Sequence, residues 1–291
     1  MKIGVALSGG GARGLAHAGV LKALEENGIK IDVIGGTSAG SMVASLYAMG
    51  YNPDEIFDSF VNNYSKIIGG KNFSLFNGIK NFISKDICGL KKGENIEGVF
   101  NLLAKNKNID VISNIKMPLV IPTVDIKDSK EYIFTNNIPQ NENNCYKKYI
   151  TDIGIGEAVR ASSSFPAVFN LCTIQKHAFI DGGALDNIPV EEVRKQGADK
   201  VLAVKFEEDK IDENSNMMDI VMKTIDIMGS KIAEKNLEKS DYVLNINTEK
   251  MGLLEIKNME RCFEYGYEAV KMNIEEIKKA LQEWKKNVII V

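Results

Sequence analysis

The chain has 291 residues, of which 44% are hydrophobic and 26% charged, the balance of an ordinary globular protein able to bury a large core. Its 39 acidic and 36 basic side chains leave a formal net charge of −3, without the basic excess that marks a nucleic-acid-binding surface. The four cysteines (Cys88, Cys145, Cys172 and Cys262) are dispersed and the histidines are two, His17 and His177, which argues against a disulfide framework, a zinc site or a histidine-rich metal centre.

MKIGVALSGGGARGLAHAGVL opens the chain. Its apolar run at residues 3–7 is too short for a signal peptide and reads as a strand. No window approaches the roughly 18–20 apolar residues of a membrane span. Cytoplasmic location is the default expectation, with peripheral contact at a membrane surface left open. Residues 12–27 read as a helix that Gly28 can end. DVIGG is a second short strand, and residues 39–49 form a helix stopped by Gly50. Asn52-Pro53-Asp54-Glu55 carries the cap, the first-turn proline and the acids of another helix start.

Residues 60–100 are rich in Asn, Lys and Gly. Their aromatics, Phe60, Tyr64, Phe73, Phe76 and Phe82, suit either packing of short helices or an acyl channel. PLVIPTVDI, EYIF, HAFID, KVLAVKF and YVLNIN read as strands, several without alternation, as in strands covered on both faces. Helical patterns at 153–163 and 190–195 lie between them. TVDIKDSKEYIF reads as an antiparallel pair at one edge. Residues 207–216 form a solvated loop. Met218, Met222, Ile225, Met228 and Ile232 keep a helical spacing expected of a core-facing stripe, and EEIKKALQEWKKNVIIV reads as an amphipathic surface helix. The absence of repeats and long linkers favours one domain over residues 1–291. Its expected class is α/β, with a mainly parallel sheet between helical layers.

Two glycine clusters stand at strand ends. GGGARG fits the pyrophosphate-wrapping GxGxxG spacing. That reading also wants an acid closing the second strand, whereas Asp32 precedes VIGG, which demotes a dinucleotide-binding oxidoreductase. GTSAG is GxSxG, which puts Ser38 on a sharp strand-to-helix turn with Gly36 and Gly40 leaving room. A triad in the order Ser, acid, His would have to use His177 with Asp125 or Asp152, and neither acid lies in a motif. Asp181, in HAFIDGGALDNIP, can reach a hydroxyl directly from a strand end followed by Gly182 and Gly183. An exposed aspartate, with a pKa of about 3.9, is a weak base unless burial raises it. Such a dyad leans on its oxyanion donors, here the amides of Gly9, Gly10 and Gly11 and of Ala39 after the serine.

The ordered set GGGARG, GTSAG, ASSSFPAVF and DGG followed by DNIP resembles the patatin-like phospholipase family in its compact bacterial form, over residues 3–206. The resemblance implies a three-layer α/β/α sandwich and a Ser–Asp dyad at Ser38 and Asp181. It also implies a glycine-rich oxyanion loop from Gly9 to Gly14, and hydrolysis of fatty-acyl esters in lipids without a metal or organic cofactor. Residues 207–291 would add helices and a strand to the same core. Arg13 is read as charge beside the loop or as an anchor of the first helix, and His17 as a packing histidine. His177, which alternates with Phe179 and Asp181 along a strand, is the rival base. Ser162, Ser163, Ser164 and Pro166 would form a supporting turn. Acyl transfer to an alcohol and a catalytically idle scaffold are the remaining alternatives.

Overall fold

Successive side chains of a strand point to opposite faces of its sheet, and here the central strands feed two separate cores. The computed structural model describes residues 1–68, 93–140, 147–166, 168–207, 217–248 and 258–282. Strand β1 (Ile3–Leu7) sends Val5 and Leu7 into one core and Ala6 into the other. Strand β2 (Val33–Gly36) divides Ile34 from Val33, and β8 (Lys200–Phe206) divides Leu202, Val204 and Phe206 from Val201 and Ala203. The first core is closed by α1 (Ala16–Glu26), α2 (Ala39–Ala48), α3 (Pro53–Ile68), α4 (Glu94–Asn106), α5 (Ile155–Ser162) and α8 (Met259–Gln282). The second is closed by α6 (Val190–Lys195) and α7 (Met217–Leu237), through Val190, Val193 and Ala233. The result is a three-layer α/β/α sandwich, as the apolar, non-alternating strands require.

Among the described residues the sheet has nine strands, in the order β5-β4-β3-β2-β1-β8-β9, with β7 on β3 and β6 on β7. The remaining strands are β3 (Leu119–Asp125), β4 (Lys130–Thr135), β5 (Lys147–Ile150), β6 (Cys172–Ile174), β7 (His177–Asp181) and β9 (Tyr242–Ile246). The pairings from β3 through β2, β1 and β8 to β9 are parallel. The expected β3–β4 hairpin is present and antiparallel, but it is not an edge: β5 pairs outside β4. Four residues of KKYI, half of them lysine, carry too little periodicity to announce that strand.

One detail of register positions the site. β4 occupies one side of β3 from Val120 to Asp125. β2 and β7 therefore share the other side, β2 at Leu119 and Val120 and β7 at Thr123 to Asp125. β2 runs with β3 and β7 runs against it, so the C-terminal ends of β2 and β7 face each other. Gly36 leads to Ser38 on one side of that junction, and Asp181 closes the other.

Local signals are recovered with small changes. The expected helix at 12–27 is a 3-10 turn (Gly11–Leu15) followed by α1, and Gly28 leaves it at φ 76°. Glu55 N donates to Asn52 Oδ1 at 2.9 Å and Asn52 N to Glu55 Oε2 at 2.8 Å, a reciprocal cap that starts α3. The core-facing stripe on α7 is a correction. Met228 is 61% and Ile232 43% exposed, because Gly229 and Ala233 face the protein instead. A Cβ on Gly229 would stand 2.9 Å from Gly183 O, so only a small residue lets the helix approach that turn. The side chains of Met218, Met222 and Ile225 lie outside the described residues, as do Phe73, Phe76, Phe82, Cys88, Cys145, loop residues 208–216 and the C-terminal segment from residue 283. Cys172 and Cys262 are buried free thiols.

Candidate active site

The turn from β2 into α2 holds Ser38 at φ 54° and ψ −121°, a region costly to a residue with a side chain. Five hydrogen bonds enforce it. Ser38 N donates to Ser162 Oγ at 3.0 Å, and Thr37 N donates to Leu7 O at 3.2 Å. Thr37 Oγ1 donates to Asp186 O at 2.8 Å, while Ser41 N and Oγ donate to Ser38 O at 2.9 and 2.6 Å. A Cβ on Gly36 would fall 2.3 Å from Gly40 O, and one on Gly40 would fall 2.6 Å from Leu7 O. The GxSxG spacing is therefore a steric requirement of this turn.

Asp181 meets that turn from the end of β7 and is 3% exposed. Its Oδ1 accepts from Gly183 N at 2.8 Å. Its Oδ2 is buried and has no hydrogen bond of full geometry among the described residues. Burial pushes the Asp181 pKa up to about 6, against the smaller lowering effects of the Ser38 hydroxyl and the Gly183 amide. The structure thus brings Ser38 and Asp181 together, with a carboxylate far more basic than an exposed one.

The glycine loop packs against the same turn. A Cβ on Gly9 would lie 2.6 Å from Asn187 Oδ1 and 3.3 Å from Ser38 Cβ, and one on Gly14 would lie 2.4 Å from Ala39 Cβ. Gly9 does not suit the donor role expected of it, because its amide is taken by Asn187 O at 3.2 Å and Asn187 Oδ1 at 3.1 Å. The amides of Gly10, Gly11 and Ala39 enter no turn or cap hydrogen bond among the described residues. Arg13 is buried. It braces the loop by donating from Nε to Gly10 O and from a terminal nitrogen to Glu207 O, both at 3.4 Å, with its guanidinium 4.9 Å from the Phe206 ring centre.

Both histidines sit elsewhere. His17 is fully buried, donates from Nε2 to Ser8 O at 2.9 Å, and is held neutral, its pKa lowered by burial to about 4. His177 lies at the far end of β7, four residues or roughly 13 Å from Asp181, with Nδ1 donating to Asp125 Oδ2 at 2.6 Å. Asp125 is thus the partner of His177, while Asp152 is exposed. Asp32 lies ahead of β2, accepting from Ile3 N at 3.0 Å and pairing with Lys30 at 2.9 Å. Among the described residues no group of three His, Cys, Asp or Glu side chains is placed to hold a metal ion, and no helix is long and apolar enough to cross a membrane. Sequence reasoning gave no role to Thr37, Asp186 or Asn187. DNIP marked the last two as a motif, but their partners Thr37 and Gly9 are about 150 or more residues away, and no local signal connects them.

Comparison with known proteins shows the family and the fold. A family model described as patatin-like phospholipase matches residues 5–194. Lysophospholipase NTE1 of Candida albicans is 32% identical over 209 residues, covering 69% of this chain and 13% of that protein. Its counterpart in Scheffersomyces stipitis is 30% identical over 204 residues, covering 69% and 11%. The chain therefore spans about an eighth of the length of these relatives. Among solved structures, VipD from Legionella pneumophila superposes with a TM-score of 0.50 at 17% identity, over 94% of this chain and 67% of that one. Human GIVD cytosolic phospholipase A2, solved with methyl gamma-linolenyl fluorophosphonate, gives 0.50 at 10% identity, over 97% and 59%. At these identities the two structures speak to the fold alone.

Proposed function

This chain belongs to the patatin-like phospholipase family, and from that premise we propose that it hydrolyses fatty-acyl esters of lipids through an acyl-enzyme on Ser38, with Asp181 as the base. One observation carries the reading: Ser38 stands on a strained turn beside a buried carboxylate whose Oδ2 has no hydrogen bond of full geometry among the described residues and whose pKa is about 6.

On this reading each step falls to residues at the turn. Asp181 takes the proton from Ser38 Oγ as that oxygen attacks the ester carbonyl. The carbonyl oxygen becomes an alkoxide beside the amides of Gly10, Gly11 and Ala39, the last at the positive end of α2. Collapse of the tetrahedral adduct breaks the ester C–O bond, and the leaving alcohol takes the proton back from Asp181. A water then gives a proton to Asp181 and attacks the acyl carbonyl; collapse breaks the Ser38 Oγ–acyl bond, Oγ takes the proton back from Asp181, and the fatty acid is released. Because the carboxylate acts without an imidazole, its raised pKa is what lets it accept a proton near neutral pH. The fungal relatives are named lysophospholipases, so a phospholipid carrying one acyl chain is the first substrate to offer.

The test is incubation with a total lipid extract followed by mass spectrometry, with Ser38→Ala as control. Acyl esters should disappear and free fatty acids accumulate only with the native serine. Equal consumption by Ser38→Ala, or none by either protein, would overturn the reading.

A further inference from the structure

Behind the Ser38 and Asp181 turns lies a buried group of charged side chains that the ester chemistry does not use. Asp186 and Glu192 are 1% exposed and Glu131 6%. Lys147 Nζ, from β5, stands 2.9 Å from Glu131 Oε2 and 3.0 Å from Glu192 Oε1. Tyr149 donates to Glu192 Oε2 at 2.7 Å, and Lys195 reaches Glu192 Oε1 from the rim at 3.2 Å. Glu191, also at the rim, pairs with Lys195 and Lys239. From α7, Asn236 Nδ2 donates to Asp186 Oδ1 at 3.1 Å. Two carboxylate oxygens remain, Glu131 Oε1 and Asp186 Oδ2, both buried and both without a donor among the described residues.

The charges explain the pair. Three buried carboxylates face one partly buried ammonium, Lys147, and one at the rim, Lys195. Two neighbouring carboxylates in such a place do not both ionise; one keeps its proton, and that proton is the missing donor. We propose that Asp186 is a positioning residue that stays protonated at neutral pH and donates from Oδ2 to Glu131 Oε1. The other contacts decide which acid holds the proton. Glu131 has Lys147 at 2.9 Å to favour its charge, whereas Asp186 Oδ1 has only the neutral amide of Asn236. Burial and then the charge of the neighbouring Glu131 lift Asp186 well above the ordinary carboxylate range.

The main chain of Asp186 gives the proton a use. Asp186 N donates to Gly182 O at 2.9 Å and its carbonyl accepts from Thr37 Oγ1 at 2.8 Å. The next residue, Asn187, accepts from Gly9 N. One short segment thus ties together the Asp181 turn, the Ser38 turn and the glycine loop. Removing the proton sets two buried negative charges against each other and displaces that segment. The inference rests on the dyad reading, since that reading makes turnover depend on this alignment.

Two measurements separate the buried proton from the dyad. The first is infrared spectroscopy of protein carrying carboxyl-labelled aspartate, at about pH 7, where Asp181 is mostly ionised. A protonated-carboxyl band should be present in the wild type and in Asp181→Asn, and absent in Asp186→Asn. No band in the wild type, or its survival in Asp186→Asn, overturns the proposal whatever the activity. The second is the pH dependence of kcat on a short ester. The wild type should lose kcat on the alkaline side with KM unchanged. Asp186→Asn, whose amide donates without titrating, should keep at least about a third of kcat and lose that alkaline limb, whereas Asp186→Val should drop kcat about tenfold with KM within about twofold. An alkaline limb identical in Asp186→Asn, or full kcat in Asp186→Val, contradicts it. If Ser38→Ala stays active while the band behaves as expected, the dyad falls and the buried proton stands.

Discussion

An aspartate lies beside each end of β7, Asp125 of β3 next to its start and Asp181 at its close, and the two solve opposite problems. At the start of the strand, burial would raise the Asp125 pKa, but hydrogen bonds from His177 Nδ1, Lys127 N and Ala178 N outweigh it and hold the carboxyl below its ordinary range. At the other end Asp181 receives one backbone amide and the neighbourhood of a hydroxyl, and burial wins, lifting it to about 6. A saturated carboxylate is a structural anchor and a poor base. An under-supplied one is a base stored at a cost in stability. On the proposed mechanism the imidazole paired with a carboxylate therefore stands at the opposite end of the strand from the ester chemistry.

The comparison can be broken most sharply by removing each dyad atom. Ser38→Ala and Asp181→Asn should each cost about 10³-fold or more in kcat on a p-nitrophenyl ester, with the fold intact by circular dichroism. Titration gives the next largest effect. On the proposed mechanism Asp181 acts in its ionised form, so kcat/KM should fall about tenfold per pH unit below an apparent pKa of about 6. The stability sign is opposite. With its folded pKa raised, Asp181 supports the fold below its unfolded pKa of about 4 and that support is lost as pH rises through about 6, so Asp181→Asn should melt higher than wild type at neutral pH. Ser162→Ala removes the acceptor of Ser38 N and should lower kcat about tenfold with little change in KM, read by initial rates. His177→Gln should leave kcat/KM within about threefold while lowering stability by about 1–2 kcal/mol in urea unfolding.

Much of this was legible where the physics is local. The Ser38 turn is written in GTSAG because Gly36 and Gly40 must lack side chains, and the helix starts and stops are written in Asn52–Glu55, Gly28 and Gly50. What was hidden is set by pairing across the chain. β7 reaches Ser38 only because it shares one side of β3 with β2, and no periodicity within HAFID reports that. Gly9 looked like an oxyanion donor until Asn187, far along the chain, took its amide. On α7 the large apolar residues suggested a core face, yet the close approach of Gly229 to Gly183 turns Met228 and Ile232 outward. Apolar periodicity locates a face, and small residues decide which face packs when a backbone must come close.

The most direct measurement is covalent labelling of Ser38 by an alkyl fluorophosphonate, read by peptide mass spectrometry in the wild type, Asp181→Asn and His177→Gln. A serine activated by carboxylate alone labels in the wild type and in His177→Gln and stays unmodified in Asp181→Asn. Wild-type labelling of Ser38 in Asp181→Asn, or its loss in His177→Gln, would contradict the dyad.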